Sequence, residues 1–373
     1  MKIEGKKLNI AVIIRNFDEN SGGAERYCVE VTRRLSDLHC VHVFSQNIKS
    51  KANNVTFHNI KRGIKKPRFL NRILFSYRTK RAISKSIKFD IIHAHDLVSH
   101  ANVYTIHTPC FKEKTNNSSL IHKFLISPRE ATYLYYEKKV FSKKNQIISV
   151  SELLTQNIVK NYPDISTPTI AYPGININLK KFIDYSYLKQ YHIPKNKFIV
   201  LFVGNGFIRK GLNFIVEALE ILDDKDIFLL VAGDGNQKDI EFRKKTVKNN
   251  SIFLGKVENI EQIYLESNVL VHPSTGDTFG MVVLEAMSYS LPVIVTSKEF
   301  CGISETLRDD EALFLDNPTN SEKIANLLSR LKNNKKFSKQ IENKAKDYAK
   351  KMSWELTTLS TLSAYEEYLT FKK

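Results

Sequence analysis

The sequence predicts an α/β protein built from two doubly wound parallel-sheet domains. Three observations lead there. Short apolar runs alternate with amphipathic helical stretches through both halves of the chain, the pattern of strands buried between helix layers. A chain of 373 residues is long enough for two domains of ordinary size. The charge is also split. Residues 1–180 hold 30 Lys+Arg against 13 Asp+Glu, and residues 181–373 hold 27 against 26, together the 57 and 39 of the whole chain. The net charge of +18 falls almost wholly on the first half, so the two domains have different partners.

Composition narrows the class. An apolar fraction of 42% suits a globular protein. No apolar run approaches the roughly 18–20 residues of a membrane helix. Met1 to Lys7 has no signal-peptide apolar core. Cys28, Cys40, Cys110 and Cys301 are scattered, without a C-x-x-C, and read as reduced thiols. The expectation is a cytoplasmic protein.

In the first half, Leu8 to Ile14 reads as a buried strand. Gly22 and Gly23 then open a helix running to about Leu35, and a glycine pair there lets backbone approach a ligand closely. It is neither a G-x-G-x-x-G nor a P-loop, so a dinucleotide or ATP site of those kinds is unsupported. Val41 to Ser45 and Val55 to Asn59 are further strands. No acidic residue occurs between Asp37 and Asp90. Within that span, Lys61 to Arg81 reads as a helix, with Phe69, Leu70, Ile73, Leu74 and Tyr77 among basic residues. Its apolar face would pack on the sheet, and its basic face suits lipid headgroups or a phosphorylated acceptor.

Phe89 to Asp96 ends a strand in His93-x-His95-Asp96, a metal-like pattern with no supporting ligand cluster elsewhere. Asn102 to Ile106 is a strand ending at His107. Ser118 to Ser142 is a second basic, aromatic stretch, with Phe124, Leu125, Tyr133, Tyr135, Tyr136, Lys138 and Lys139, a composition suited to a membrane interface. Gln146 to Val150 is a strand, and Ser151 caps the next helix.

The second half opens on the buried strand Phe198 to Gly204. Arg209 and Lys210 stand just before a helix bearing Phe214, Ile215, Ala218, Leu219 and Leu222. Two cations at a helix start oppose the helix dipole, and a bound anion would offset that. Phe228 to Ala232 and Ile252 to Val257 continue the sheet. Asp224-Lys225-Asp226 is formally a D-x-D, but it follows a helix end rather than a strand and reads as a solvated turn. The last helix runs from Trp354 to about Leu369.

The stretch Val271 to Met287 carries the most chemistry. It reads as a strand end, a tight loop through Pro273, Ser274, Gly276 and Asp277, and a helix with Met281, Leu284 and Met287 at helical spacing. Glu285 falls about two turns along that helix. A helix N-terminus suits phosphate, and flanking carboxylates suit sugar hydroxyls. Taken alone, the stretch serves equally as an acidic helix start in any α/β domain.

Asp277, seven residues, Glu285, then Ala286-Met287 and Leu291-Pro292-Val293-Ile294 resembles the E-x7-E signature of the family 4 (group 1) retaining glycosyltransferases. The first Glu is here an Asp. The resemblance spans nearly the whole chain and implies the GT-B architecture, two Rossmann-like domains facing each other across a cleft. Residues 1–177 would be the acceptor side, completed by a helix at about 354–373, and residues 178–353 the nucleotide-sugar side. Gly22 and Gly23 would face the donor diphosphate, and His107 the donor sugar. Arg209 and Lys210 would hold the diphosphate, as in the similar G-F-x-R-K-G pattern of lipopolysaccharide core glucosyltransferases, with Asn205 standing where many relatives have Arg. The backbone at Val257 would hold the base. Thr278, Phe279, Gly280, Met281 and Val282 would form the helix start under the donor, with Glu285 on the ribose and Asp277 on a sugar hydroxyl.

No clear nucleophile is present, and the family's leaving phosphate is thought to help deprotonate the acceptor. No cofactor and no metal are expected. The implied activity is retaining transfer of a hexose, from UDP-glucose or a related UDP-hexose, to a lipid-linked or phosphorylated glycan such as lipopolysaccharide core. The enzyme would work peripherally on the inner face of the cytoplasmic membrane. Alternatives are a GDP-mannose-dependent mannosyltransferase, a UDP-sugar epimerase, and a non-enzymatic binder of anionic surfaces. No aromatic-rich nucleic-acid motif appears, so a nucleic-acid partner is not expected.

Overall fold

The computed structural model describes residues 7–64, 66–115, 127–177, 185–234, 250–257 and 259–371. Expectations placed on Met1 to Lys6, Lys65, Phe124 and Leu125 lie outside these residues. The chain divides into two compact units, one of residues 1–174 with 354–373 and one of residues 175–353.

The first unit is built on strands β1 (Asn9–Ile13), β2 (Asn16–Phe17), β3 (Cys40–Ser45), β4 (Asn47–Ile48), β5 (Val55–Asn59), β6 (Ile91–Ala94), β7 (Val103–Ile106), β8 (Gln146–Ser149) and β9 (Thr169–Ile170). Seven of them form one parallel sheet in the order β5-β3-β1-β6-β7-β8-β9. Ile10 of β1 pairs with Val41 on one side and Ile91 on the other. Being covered on both faces, β1 reads as a continuous apolar run. β2 and β4 pair separately.

Helix α1 (Gly23–Leu38) buries Tyr27, Cys28, Val31 and Leu35, a stripe at three- and four-residue spacing. Helix α2 (Arg68–Ser84) begins later than the basic run suggested, because Pro67 lies at its N-cap. Helix α3 (Pro128–Val140) covers part of the second aromatic stretch. In α4 (Glu152–Asn161) the Ser151 hydroxyl caps the helix by accepting from Leu154 N at 3.1 Å. The helix Trp354–Phe371 also packs in this unit. Tyr365 Oη lies 2.7 Å from His93 Nδ1, the Thr357 hydroxyl donates to Tyr172 O at 2.6 Å, and Gln146 donates to the Glu367 carboxylate at 2.6 Å.

The second unit has strands β10 (Phe198–Val203), β11 (Ile227–Ala232), β12 (Ser251–Gly255), β13 (Val269–His272), β14 (Val293–Thr296) and β15 (Leu313–Leu315). All are parallel, in the order β12-β11-β10-β13-β14-β15. Its helices are α5 (Ser186–Gln190), α6 (Leu212–Leu222), α7 (Ile260–Leu265), α8 (Met281–Ser288), α9 (Ser321–Asn333) and α10 (Lys335–Lys351). Val200, Phe202, Leu229, Val231, Val271 and Ile294 line the core with Ile215 of α6 and Leu328 of α9.

β10 bonds to β11 on one side and β13 on the other, so strand order reverses there. Loops leaving neighbouring strands at such a switch point diverge and open a crevice at the strand C-terminal ends. Here those loops carry Arg209-Lys210 and Asp277. The D-x-D stretch is a turn before β11, with Asp224 paired to Lys332 and Asp226 to Lys197. Among the described residues, no helix is long and apolar enough to cross a membrane.

Candidate active site

One glycine lets the β10 and β13 loops come together. Gly211 takes a φ of 79°, and a Cβ there would lie 2.0 Å from Pro273 O, so only glycine allows this approach. The loops then bond directly. Arg209 O accepts from Thr275 N at 3.2 Å and from the Thr275 hydroxyl at 3.0 Å, while Arg209 Nη1 donates to Gly276 O at 2.9 Å. Lys210 Nζ pairs with Asp277 Oδ2, which also accepts from His272 Nε2 at 3.0 Å.

These three groups set one another's charge. Burial alone raises the Asp277 carboxyl, but the hydrogen bond from His272 and the Lys210 charge outweigh it and hold the carboxyl well below the usual range. Burial pushes the His272 imidazole down, only partly offset by Asp277. His272 is therefore neutral at pH 7 and donates through Nε2, while its buried Nδ1 has no partner among the described residues. The cluster is a carboxylate fixed between a lysine and a neutral histidine, with side chains of Lys210 and Asp277 only 12% and 18% exposed.

The Asp277 loop is also pinned from β14's side. Asp277 N donates to Phe300 O at 2.8 Å, Gly302 N to Asp277 O at 3.1 Å, and Ile303 N to Phe279 O at 2.7 Å. Gly280 then turns at φ 95°, where a Cβ would come within 2.7 Å of Cys301 Sγ. Because the backbone becomes helical only after this left-handed residue, α8 starts at Met281. Glu285 is its fifth residue, little more than one turn in rather than two. Its Oε2 accepts from the Tyr264 hydroxyl at 2.8 Å.

Phe279 is buried at 3% exposure, so only its backbone can meet a ligand, whereas Thr278, Met281 and Val282 are half-buried. Val257 is half-buried just after β12. Asn205 Oδ1 accepts from Asp234 N at 2.7 Å and so ties the β10 and β11 loops. Sequence reasoning assigned no role to His272, Tyr264 or Cys301. His272 lay inside the motif, and its signal was a polar residue closing a wholly apolar strand. The other two contacts carry no signal in local spacing.

In the first unit, Gly22 caps α1 with extended backbone and accepts from Arg26 N at 2.9 Å. His107 sits half-buried after β7, its Nε2 at 3.2 Å from His95 Nδ1, and its ring edge-on to Tyr27. Burial pushes its imidazole down to about 4. It is thus a neutral donor or acceptor at pH 7, not a standing cation. The His-x-His-Asp pattern is dispersed into three separate jobs. His93 bonds Tyr365 and Thr105, His95 stacks on His107, and Asp96 pairs with Arg15 at 2.8 Å. Among the described residues, no three His, Cys, Asp or Glu side chains are grouped to hold a metal ion.

Burial gives the stability a pH dependence. It lowers His93 to about 3 and both His100 and His107 to about 4. A histidine whose folded value lies below its unfolded value of about 6.5 stabilises the fold above that value and loses the contribution as pH falls toward the folded value. Each of the three should cost about 2 kcal/mol between pH 7 and 5. Thermal melts over that window should show a steep fall in Tm, and a flat profile would contradict the neutral assignment.

Two parallel α/β units, one presenting cations and a fixed carboxylate at its switch point, have the parts of the GT-B architecture. The family model for glycosyl transferases group 1 matches residues 186–348, and that for glycosyltransferase family 4 matches residues 21–179. The chain belongs to the family 4 (group 1) glycosyltransferases. It is 27% identical over 335 residues to the uncharacterized glycosyltransferase MJ1607 of Methanocaldococcus jannaschii, covering 84% of this chain and 85% of that one. It is 24% identical over 222 residues to the lipopolysaccharide glucosyltransferase WaaG of Escherichia coli K12, covering 56% and 58%. The fold matches a crystal structure of WaaG with a TM-score of 0.77 at 20% identity, over 95% of this chain and 98% of that one. It also matches HepE of Anabaena in complex with UDP and glucose, with a TM-score of 0.74 at 16% identity, over 96% and 99%.

Proposed function

We propose that this glycosyltransferase moves a hexose from a nucleotide-diphosphate sugar, with retention of configuration, to a lipid-linked or phosphorylated glycan. The observation that carries the reading is the Lys210–Asp277–His272 cluster one loop away from Glu285 at the start of α8. Glu285 holds the ribose hydroxyls from the helix, and Asp277 offers its oxygens to a sugar hydroxyl. Lys210, Arg209 and the α8 N-terminus neutralise the diphosphate as it leaves, where developing charge is greatest. The two side-chain cations supply that neutralisation without a metal. His107, neutral, serves as a hydrogen-bonding group toward the sugar, and the leaving phosphate takes the acceptor proton on the same face.

UDP-glucose or a related UDP-hexose is the first choice of donor, in keeping with the ligands named for HepE and with the activity named for WaaG. The surplus of basic residues in the first half suits an anionic acceptor such as lipopolysaccharide core, met at the inner face of the cytoplasmic membrane. Calorimetric titration of UDP and GDP, with EDTA present, tests the donor. UDP should bind wild type and lose at least tenfold in affinity with Glu285→Ala. A preference for GDP would move the donor to GDP-mannose, and binding of neither would sink the assignment of the pocket. Transfer to an added acceptor separates this reading from sugar epimerisation.

A further inference from the structure

Not every basic residue of the acidic-free span is solvated. Arg72 of α2 is only 8% exposed, packed toward α3. Its guanidinium lies 4.5 Å from the centre of the Tyr133 ring, and its Nη2 meets the Tyr133 hydroxyl at a long 3.5 Å. Its Nε has no partner among the described residues. No carboxylate among the described residues pairs with it. Glu137 of α3 is turned to the backbone N–H groups of Phe111 and Lys112 and to Tyr162, and Asp96 is held by Arg15.

A guanidinium carries five N–H donors and a permanent charge. Buried charges are ordinarily paired or fully hydrogen-bonded, because lost hydration must be replaced. An aromatic face offsets part of this but satisfies no N–H. The surroundings could complete an anion site. Arg129 reaches to 5.9 Å from the same Tyr133 ring, whose hydroxyl is a further donor. Phe111 stacks on Tyr133 at 5.0 Å and fixes its plane. Ser76 lies one turn beyond Arg72 on α2, and its hydroxyl stands 3.5 Å from that of Ser99.

We propose that Arg72, Tyr133 and Arg129 form a subsite for a phosphate group carried by the sugar acceptor. The assignment rests on the glycosyltransferase reading for the word acceptor only. Phosphate is favoured because its several oxygens can take a forked guanidinium, a hydroxyl and a second cation from different directions. An arginine is required at position 72, since lysine keeps the charge and loses the fork.

The test titrates inorganic phosphate calorimetrically into the full chain saturated with UDP, so that the donor's own phosphate positions are filled. Wild type should bind one phosphate. Arg72→Lys should weaken it at least tenfold and Tyr133→Phe a few-fold, with UDP affinity and circular dichroism unchanged. If Arg72→Lys fails to fold, Tyr133→Phe decides. Sedimentation with phosphatidylglycerol vesicles, against phosphatidylcholine, assigns the source. A loss of vesicle binding in Arg72→Lys makes the group a lipid headgroup, and unchanged binding makes it a phosphate on the glycan. No phosphate binding by wild type, or equal affinity in all three proteins, overturns the subsite. If UDP itself does not bind, the donor reading fails, and the phosphate titration repeated without UDP still decides the subsite.

Discussion

Asp277→Asn should lower the rate of glycosyl transfer at least a hundredfold while leaving UDP affinity within a few-fold. Two donors converge on the Asp277 carboxylate, and an amide in its place offers one oxygen and a hydrogen-bearing nitrogen. Both donors meet Oδ2, so an amide that places its oxygen there keeps the two hydrogen bonds but leaves the Lys210 charge without its counter-charge. Removing one partner of a buried pair costs about 3–5 kcal/mol, because the other charge remains uncompensated. The variant should therefore also melt earlier at pH 7. The sign with pH is fixed by the depressed carboxyl. Its contribution is present above the unfolded value of about 3.9 and fades as pH falls further, so the Tm gap between wild type and variant should narrow below about pH 4. Transfer retained at the wild-type rate would remove Asp277 from the sugar site.

Lys210→Met should be nearly as severe, with transfer falling about a hundredfold. Two effects add. The departing diphosphate loses the cation held in the least exposed position, where an electrostatic contact to a developing charge is worth about 2.7–4 kcal/mol. Asp277 also keeps a buried negative charge with only a neutral histidine beside it. Arg209 is exposed and partly spent on Gly276 O, so Arg209→Met should cost less. Single-turnover transfer measured beside UDP binding separates the two, since the lysine should act chiefly on rate. Combined with Asp277→Asn, the loss should fall well short of the product of the single losses, because each change removes the same contact. Full additivity would mean that the two side chains act independently.

How far the sequence could be read depended on where each signal lay. The strands buried on both faces, β1 and β10, were legible as unbroken apolar runs. The two-residue strands β2 and β4 were not, since a pair of residues has no periodicity to read. The basic stretch was placed as one helix from Lys61, yet α2 starts at Arg68 beyond Pro67, and its basic face is not all solvated, since Arg72 is buried under α3. Spacing located Asp277 and Glu285 in a loop and on the following helix. It overstated the distance of Glu285 from the helix start, because the left-handed turn at Gly280 delays the first helical residue. The Tyr264 hydroxyl on Glu285 and the 300–303 segment pinning the loop come from tertiary packing, which no local pattern encodes.

The helix Trp354–Phe371 belongs to the unit formed by residues 1–174, with Tyr365 reaching back to His93 across 272 positions of the sequence. On the ribosome these two partners do not exist together for most of synthesis. Residues 175–353 must all be made first, roughly ten to forty seconds at about 5–20 residues per second. Throughout that interval the buried faces of β7, β8 and β9 that await this helix lack their cover. The second unit, contiguous in the chain, suffers no such delay. Vectorial synthesis therefore favours completion of the later-made unit before the earlier one.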